Sequence, residues 1–207
     1  IITQLIIPAT PIGFALIFNL IYFRMDVFIL SASRSSAEVG LYGLAYQFFE
    51  AALALPIFIS NALFPPLSDL YTISPENFYS KTKKAFGILL ITSIGLTFFL
   101  YLISYFIPIF YDARFEGSKI ALQILSLGMP FFFLSALLWH VLIIRNSQKL
   151  LAPIYFAGAI LNILLNLFFI PKYGILAAAY ITVISEAFIT LLLIIAAKRL
   201  PQDKLLA

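Results

Sequence analysis

The chain has 207 residues, of which 63% are hydrophobic and only 11% are charged, and its mean hydropathy is +1.06. Soluble domains carry about 25% charged residues, so this composition excludes a soluble protein and requires a hydrocarbon solvent for most of the chain. The absence of cysteine removes disulfides, thiolate nucleophiles and cysteine-based metal sites. The net charge of +4 is too diluted by apolar residues to indicate a partner nucleic acid.

Six apolar runs are each long enough to cross a bilayer as a helix, since a span needs about 20 residues. They cover residues 5–31, 41–65, 85–111, 120–144, 151–170 and 175–197. We therefore predict an all-α, polytopic membrane protein in which residues 1–207 form one bundle of six transmembrane helices. Ser74-Pro75-Glu76 predicts the start of the third helix, which we expect to lie briefly along the membrane surface before it turns in.

The charges of the connecting segments predict the orientation of the bundle. One side carries eight cations: Lys81, Lys83, Lys84, Arg145, Lys149, Lys198, Arg199 and Lys204. The other side carries fewer cations, partly balanced by acids: Arg34, Arg114, Lys119 and Lys172 against Glu38, Asp112 and Glu116. The positive-inside rule then places both ends of the segment in the cytoplasm and the bundle in the cytoplasmic membrane.

The start of the chain predicts that it is a piece of a longer protein. Ile1 opens almost directly into an apolar run, without an initiator methionine. The run also lacks the basic start and small-residue cleavage site of a signal peptide. An even number of spans that begins in the cytoplasm is what a second half of a larger transporter would show, and we expect an N-terminal lobe elsewhere.

Four charged residues lie at membrane depth, where each costs about 2.5–3.5 kcal/mol at a helix centre. Glu186 is at the middle of the sixth span, Glu50 is inside the second, and Arg24 and Asp26 are in the outer part of the first. Folding the first two helices against each other brings Arg24 to the depth of Glu50 and predicts an ion pair. That pair is either a buried structural link or a cation held at a central cavity by its carboxylate.

The last two spans carry polar stripes at helical spacing. Asn162 and Asn166 follow Gly158 along one face of the fifth span, and Thr182, Glu186 and Thr190 share a face of the sixth. The turn between the two spans predicts Asn162 at the depth of Glu186. Hydrogen bonding between helices is sufficient to explain Asn166 and Thr190. Glu186 is either protonated or open to a wet cavity, because an amide does not neutralise a carboxylate.

Two prolines are hinge candidates, since Pro56 and Pro130 lie within spans and each removes a backbone hydrogen bond. Trp139 is expected as an interfacial anchor, with His140 as a polar residue at headgroup level. The chain has no phosphate-binding loop, no HExxH pair and no GxSxG elbow. We therefore expect a protein that is not an enzyme, with no catalytic residues, no metal site and no cofactor other than a coupling H⁺ or Na⁺.

The sequence resembles the polysaccharide-biosynthesis flippases of the O-antigen type, which belong to the multidrug/oligosaccharidyl-lipid/polysaccharide (MOP) exporter superfamily. The resemblance lies in YFRMDVFIL (22–30), AEVGLYGLAY (37–46), ALFPPLS (62–68) and LQIL (122–125), and in residues 162–174 and 177–186. The resemblance covers nearly the whole chain, and it rests on the order and spacing of these segments taken together. The resemblance implies one lobe of a MATE/MOP-type transporter that turns polyprenyl-diphosphate-linked oligosaccharide from one leaflet to the other by alternating access.

The resemblance implies a cationic cavity. Arg24 is the best match in this chain for the cation of that cavity, and Asp26 and Glu186 match positions where the family often carries acids. Glu50, Asn162 and Asn166 complete the set of substrate- or ion-cavity candidates. A MATE-type multidrug/cation antiporter is the nearest alternative, because this lobe holds charges of both signs. A non-transporting membrane scaffold of a polysaccharide assembly complex is a further alternative. The expected partners are a lipid-linked sugar, the N-terminal lobe and membrane lipids.

Overall fold

The computed structural model describes residues 2–200, with side chains from residue 9 onward, and every regular element in this part is a helix. Residues 1 and 201–207, which include the predicted cytoplasmic cation Lys204, lie outside the described residues. The α-helices are α1 (Ile2–Ser33), α2 (Ser36–Ile73), α3 (Pro75–Ser104), α4 (Ile107–Phe110), α5 (Glu116–Ser126), α6 (Met129–Ile144) and α7 (Leu151–Arg199). Short 3₁₀ turns, Ala113–Phe115 and Gln148–Leu150, precede α5 and α7.

Helix α7 is a hairpin of two antiparallel arms rather than one long rod. Its backbone leaves the helical region at Gly174, where φ is 59° and ψ is −138°. Asn162 and Ser185 would be about 35 Å apart in a straight helix, yet their side chains lie 3.2 Å apart. The arms, residues 151–173 (α7a) and 175–199 (α7b), therefore pack against each other along their length.

The fourth crossing is broken into two helices. α5 and α6 meet at an angle of 44° around residues 127–128, and Pro130 lies in the first turn of the helix that follows. A proline is favourable at this position because the first helical turn needs no backbone donor there. α2, by contrast, continues as one helix through Pro56 and on to Ile73.

Six crossings of a membrane follow from these elements. Four helical segments are individually long and apolar enough to span a bilayer, and the bent pair of α5 and α6 is a fifth. Because one of the four is the α7 hairpin, the described residues provide a sixth crossing. The predicted all-α bundle of six transmembrane helices is confirmed, and the protein is a multi-pass membrane protein.

The third helix differs from the prediction in its first turns. Pro75 is the first helical residue, as expected, but the hydroxyl of Ser74 accepts from the Asn77 side chain at 2.9 Å instead of capping the backbone. The helix then runs unbroken from Pro75 to Ser104. The expected surface segment that turns into the membrane is wrong, since no break interrupts these residues.

The exposed surface of the bundle is apolar, as a lipid-facing surface must be. Phe58, Ile91 and Phe168 are each about 70% exposed. The interior holds aromatic and small side chains between α1, α2, α5, α6 and α7b, such as Tyr42, Phe49 and Ala178. Small residues let membrane helices approach closely, and this packing sets the positions of the polar groups described next.

A cleft between four helices as the candidate functional site

A cleft of about 390 Å³ opens between α1, α2, α6 and the α7 hairpin. Most of its wall is apolar, and the polar groups are two amides, two hydroxyls, an indole N–H, an imidazole and a carboxylate. The lining residues are Ile12, Leu16, Asn19, Phe23, Leu53, Pro56, Ile57, Asn61, Phe132, Ser135, Ala136, Trp139, His140, Tyr155 and Glu186. Apolar clefts with a few convergent polar groups are the usual form of small-ligand sites.

Glu186 is the carboxylate of the cleft, and its oxygens are held by hydroxyl groups from two other helices. Ser135 on α6 donates a short hydrogen bond to Oε1. Tyr22 on α1 is 3.2 Å from Oε2 and also 3.3 Å from the carbonyl oxygen of Thr182. The residue is only 2% exposed, so its charge is withdrawn from the cleft surface.

Asp26 forms a second buried acidic group beside the cleft rather than in its lining. Its Oδ2 accepts from the Tyr42 hydroxyl at 2.5 Å and from Thr182 Oγ1 at 3.4 Å. Oδ1 accepts from the backbone N–H of Val27 at 2.7 Å. Thr182 contacts both Asp26 and Tyr22, and one polar network therefore joins the two acids across α1, α2, α6 and α7b.

Arg24 and Glu50 form the predicted ion pair, with Nη2 and Oε1 3.0 Å apart. The side chains are 51% and 38% exposed, so the pair is not the buried structural link. Glu50 precedes Ile57 and Asn61 by seven and eleven residues and so shares the face of α2 that lines the cleft. Such a pair contributes about 0–1 kcal/mol to stability, so another anion can compete with Glu50 for the guanidinium.

The asparagines of α7a lie at a helix contact and not in the cleft. Asn162 donates to Ser185 Oγ at 3.2 Å, and Asn166 donates to Asn162 Oδ1 at 2.8 Å. Asn162 thus lies at the predicted depth of Glu186, but its hydrogen bond goes to Ser185, the residue before it on α7b. Thr190 donates to the Phe131 carbonyl at 3.1 Å, as expected of a group that joins helices.

His140 and Trp139 lie in the cleft lining, which sequence reasoning did not predict. The His140 ring contacts Asn61 Oδ1 at 3.1 Å through Nε2, and Nδ1 lies 2.8 Å from the Ala136 carbonyl oxygen. The Trp139 ring packs edge-on against Tyr155, with centroids 5.2 Å apart. The expected depth of Trp139 and His140 at the membrane interface stays a prediction, and the structure adds that both residues line the cleft.

The lining of the cleft is weakly charged, and the Arg24–Glu50 ion pair lies beyond it, with Arg24 next to the lining residue Phe23. No lysine or arginine lines the cleft within the described residues, and both acids are buried. In the same part of the chain, no group of three or more His, Asp or Glu residues is arranged to hold a metal ion. The cleft is therefore equipped to bind by hydrogen bonds.

Comparison with solved structures gives a match over 89% of this chain to a MOP superfamily transporter from Pyrococcus furiosus. The TM-score is 0.77 at 18% sequence identity, and the match covers 42% of that transporter. The reverse polarity of the binding pocket in that transporter was taken to suggest a different function. This similarity confirms the fold of one MOP transporter lobe.

Sequence comparison gives a relative and a family. An uncharacterized membrane protein of Methanocaldococcus jannaschii is 28% identical over 136 residues, which cover 60% of this chain and 25% of the relative. The chain thus spans about a quarter of that protein and less than half of the solved transporter. The MatE family model matches residues 11–168. This match covers well over half of the chain, which therefore belongs to the MatE family.

Proposed function

We propose that this protein moves a polyprenyl-diphosphate-linked oligosaccharide across the cytoplasmic membrane and that the cleft binds its headgroup. One observation carries the proposal: the cleft lining presents hydrogen-bonding groups, and the exposed cation Arg24, paired with Glu50, directly follows the lining residue Phe23. Asp26 and Glu186 are at most 2% exposed, whereas Arg24 is about half exposed. This combination suits a sugar and a phosphate better than it suits an organic cation.

The chemistry of the headgroup matches the groups available. Sugar hydroxyls both donate and accept hydrogen bonds, as do the amides of Asn19 and Asn61 and the ring of His140. A phosphate oxygen is a strong acceptor for the guanidinium of Arg24. The apolar chain of the substrate would remain in the lipid. A second lobe, facing this one across a central cavity, would supply the remaining contacts to the diphosphate.

Alternating access explains why a protein is required for this movement. A charged diphosphate cannot enter hydrocarbon without losing its hydration, which costs far more than thermal energy. Two lobes that rock against each other expose a common site first to one side and then to the other. In this proposal, the bend before Pro130 and the proline at Pro56 are the positions that absorb the movement within this lobe.

The polar network around Asp26 and Glu186 is the proposed site of coupling to H⁺ or Na⁺. Protonation of Glu186 would remove the charge of the carboxylate that accepts from Ser135 and Tyr22, and so would weaken these hydrogen bonds. Because these partners come from α6 and α1, the change alters how three helices are held together. A gradient could in this way bias the rocking of the lobe.

A MATE-type exporter of organic cations is the second candidate. The observation that favours it is the carboxylate of Glu186 in the cleft lining, where no lysine or arginine of the described residues is present. Rotation of Ser135 and Tyr22 away from Glu186 would expose an acid to a cationic substrate. Pocket polarity therefore separates the two candidates.

The test uses the complete protein in proteoliposomes and compares two substrates in the same preparation. One assay follows a fluorescent polyprenyl-diphosphate sugar from leaflet to leaflet, and the other follows ethidium efflux under a proton or sodium gradient. Movement of the sugar lipid supports the proposal. Ethidium movement alone would establish the exporter, and the absence of both would support the scaffold role.

A further inference from the structure

A second cavity, of about 650 Å³, lies on the opposite side of α6 from the cleft. It is enclosed by the first turns of α3, the last turns of α6 and the end of α7b. All three of these helix ends carry cations that the sequence assigns to the more basic side of the membrane. The cavity is therefore a basic pocket between helices at one membrane surface.

Three cations from separate helices line this pocket. Lys83 comes from α3 and Lys198 from α7b; both are exposed, and neither forms an ion pair within the described residues. Arg145, at the end of α6, donates to the carbonyl oxygens of Ala197 and Leu200 at 2.7 and 3.0 Å. The pocket thus concentrates positive charge without a carboxylate in its described lining.

Two hydroxyl groups of α3 lie in this positive region. The oxygen atoms of Tyr79 and Thr82 are buried, have no hydrogen-bond partner among the described residues, and belong to the pocket lining. A buried polar group without a partner is costly and calls for a ligand or an ordered water. The guanidinium of Arg145 lies over the Tyr79 ring, 5.6 Å from its centre, so the same ring carries the buried hydroxyl and contacts the cation.

The deeper wall of the pocket is apolar. Phe86 lies one helical turn beyond Thr82 on α3, and Leu138, Val141 and Ile194 complete the wall from α6 and α7b. Charge and donor groups at the membrane surface with an apolar wall below them match a phospholipid, whose phosphate sits above its chains. Basic pockets between transmembrane helices bind acidic lipid headgroups in this manner.

We propose that this pocket binds the phosphate headgroup of an anionic phospholipid of the surrounding leaflet. Lys83 and Lys198 neutralise the phosphate, and the hydroxyls of Tyr79 and Thr82 donate to its oxygens. The lipid ties the start of α3 to the ends of α6 and α7b and so stabilises the bundle. This role is independent of the transported substrate, since the pocket and the cleft share no lining residue.

Thermal unfolding of the complete protein in nanodiscs tests the proposal. The discs contain either phosphatidylcholine alone or phosphatidylcholine with phosphatidylglycerol, and a third arm adds inorganic phosphate to phosphatidylcholine discs. Phosphatidylglycerol should raise the melting temperature, and phosphate alone should not. The apparent affinity for phosphatidylglycerol is measured by titrating the mole fraction of this lipid in the discs. It should fall about fivefold for each of Lys83→Ala and Lys198→Ala.

Two further variants keep the result from being explained by folding alone. Tyr79→Phe removes one unpaired hydroxyl, so it should not lower the melting temperature in phosphatidylcholine but should reduce the gain from phosphatidylglycerol. Lys81→Ala, an exposed cation of α3 outside the lining, is the matched control and should keep the full gain. The proposal would be overturned by equal melting temperatures in both lipids or by a gain from inorganic phosphate equal to that from phosphatidylglycerol. An equal loss of this gain in Lys81→Ala and Lys83→Ala would also overturn it.

Discussion

Tyr22 on α1 and Glu186 on α7b meet across the interior of the bundle, with hydroxyl and carboxylate oxygens 3.2 Å apart. The same hydroxyl lies 3.3 Å from the carbonyl of Thr182, whose side chain contacts Asp26. A change at either acid therefore reaches the other through one threonine and one tyrosine. This arrangement is the physical basis for the coupling role proposed above.

Glu186→Gln should uncouple transport from the ion gradient while leaving the fold intact. Glutamine retains an oxygen that accepts from Ser135 or Tyr22, but it cannot bind a proton or balance a cation. We expect gradient-driven transport to fall by about tenfold or more, the range of a lost charge-assisted contact. Transport in proteoliposomes with and without a gradient measures the effect.

The matched control for this variant is Glu116→Gln. Glu116 pairs with Lys119 on the exposed start of α5, remote from the cleft. It should transport as the wild type does. If Glu186→Gln responds to the gradient as fully as the control, Glu186 has no part in coupling.

Tyr42→Phe should destabilise the bundle by removing the shortest hydrogen bond to Asp26. The hydroxyl donates to Oδ2 at 2.5 Å, and both residues are buried. Hydrogen bonds between membrane helices contribute about 0.6–1.7 kcal/mol, and we expect a loss at the upper end because a carboxylate loses its donor. Thermal unfolding in detergent measures it. Tyr180→Phe, at an exposed position of α7b, should change the melting temperature little, and equal losses would contradict the role of Tyr42.

Gly158→Ala should force the arms of α7 apart. A methyl group at this position would overlap the side chain of Ile189 on the opposite arm. Overpacking of this kind costs about 1–3 kcal/mol. Gly95→Ala is the matched control, because a methyl group there meets no atom within 4 Å. Thermal unfolding should separate the two variants, and Ile189→Ala should partly rescue Gly158→Ala. A stable Gly158→Ala protein would contradict this packing.

The number of crossings and the Arg24–Glu50 pair were predictable from sequence, because hydrocarbon imposes strict rules. A span needs about 20 apolar residues, and a charge at depth needs a partner. Depth alone then pairs Arg24 with Glu50 across the short connection between α1 and α2. The break in the fourth crossing was signalled only by Pro130, since an apolar run gives no measure of a bend.

The partners of Glu186 were not predictable, because they depend on the rotation of helices about their axes. One residue changes direction by about 100° in a helix, so depth could not decide whether Asn162 meets Ser185 or Glu186. Tyr22 and Ser135 carry no signal of their own, since tyrosine and serine are common in membrane spans. Their role becomes visible only when α1, α6 and α7b are packed together.

Substitution of Arg24 is the most direct test of an anionic headgroup at this cleft. We expect Arg24→Ala to lower flipping of the polyprenyl-diphosphate sugar by at least about tenfold, the value of a charge-assisted bond to phosphate. The melting temperature should change little, because a half-exposed ion pair contributes about 0–1 kcal/mol, and Arg24→Lys should retain part of the rate. Flipping by a folded Arg24→Ala protein at the wild-type rate would contradict the proposed role of this cation.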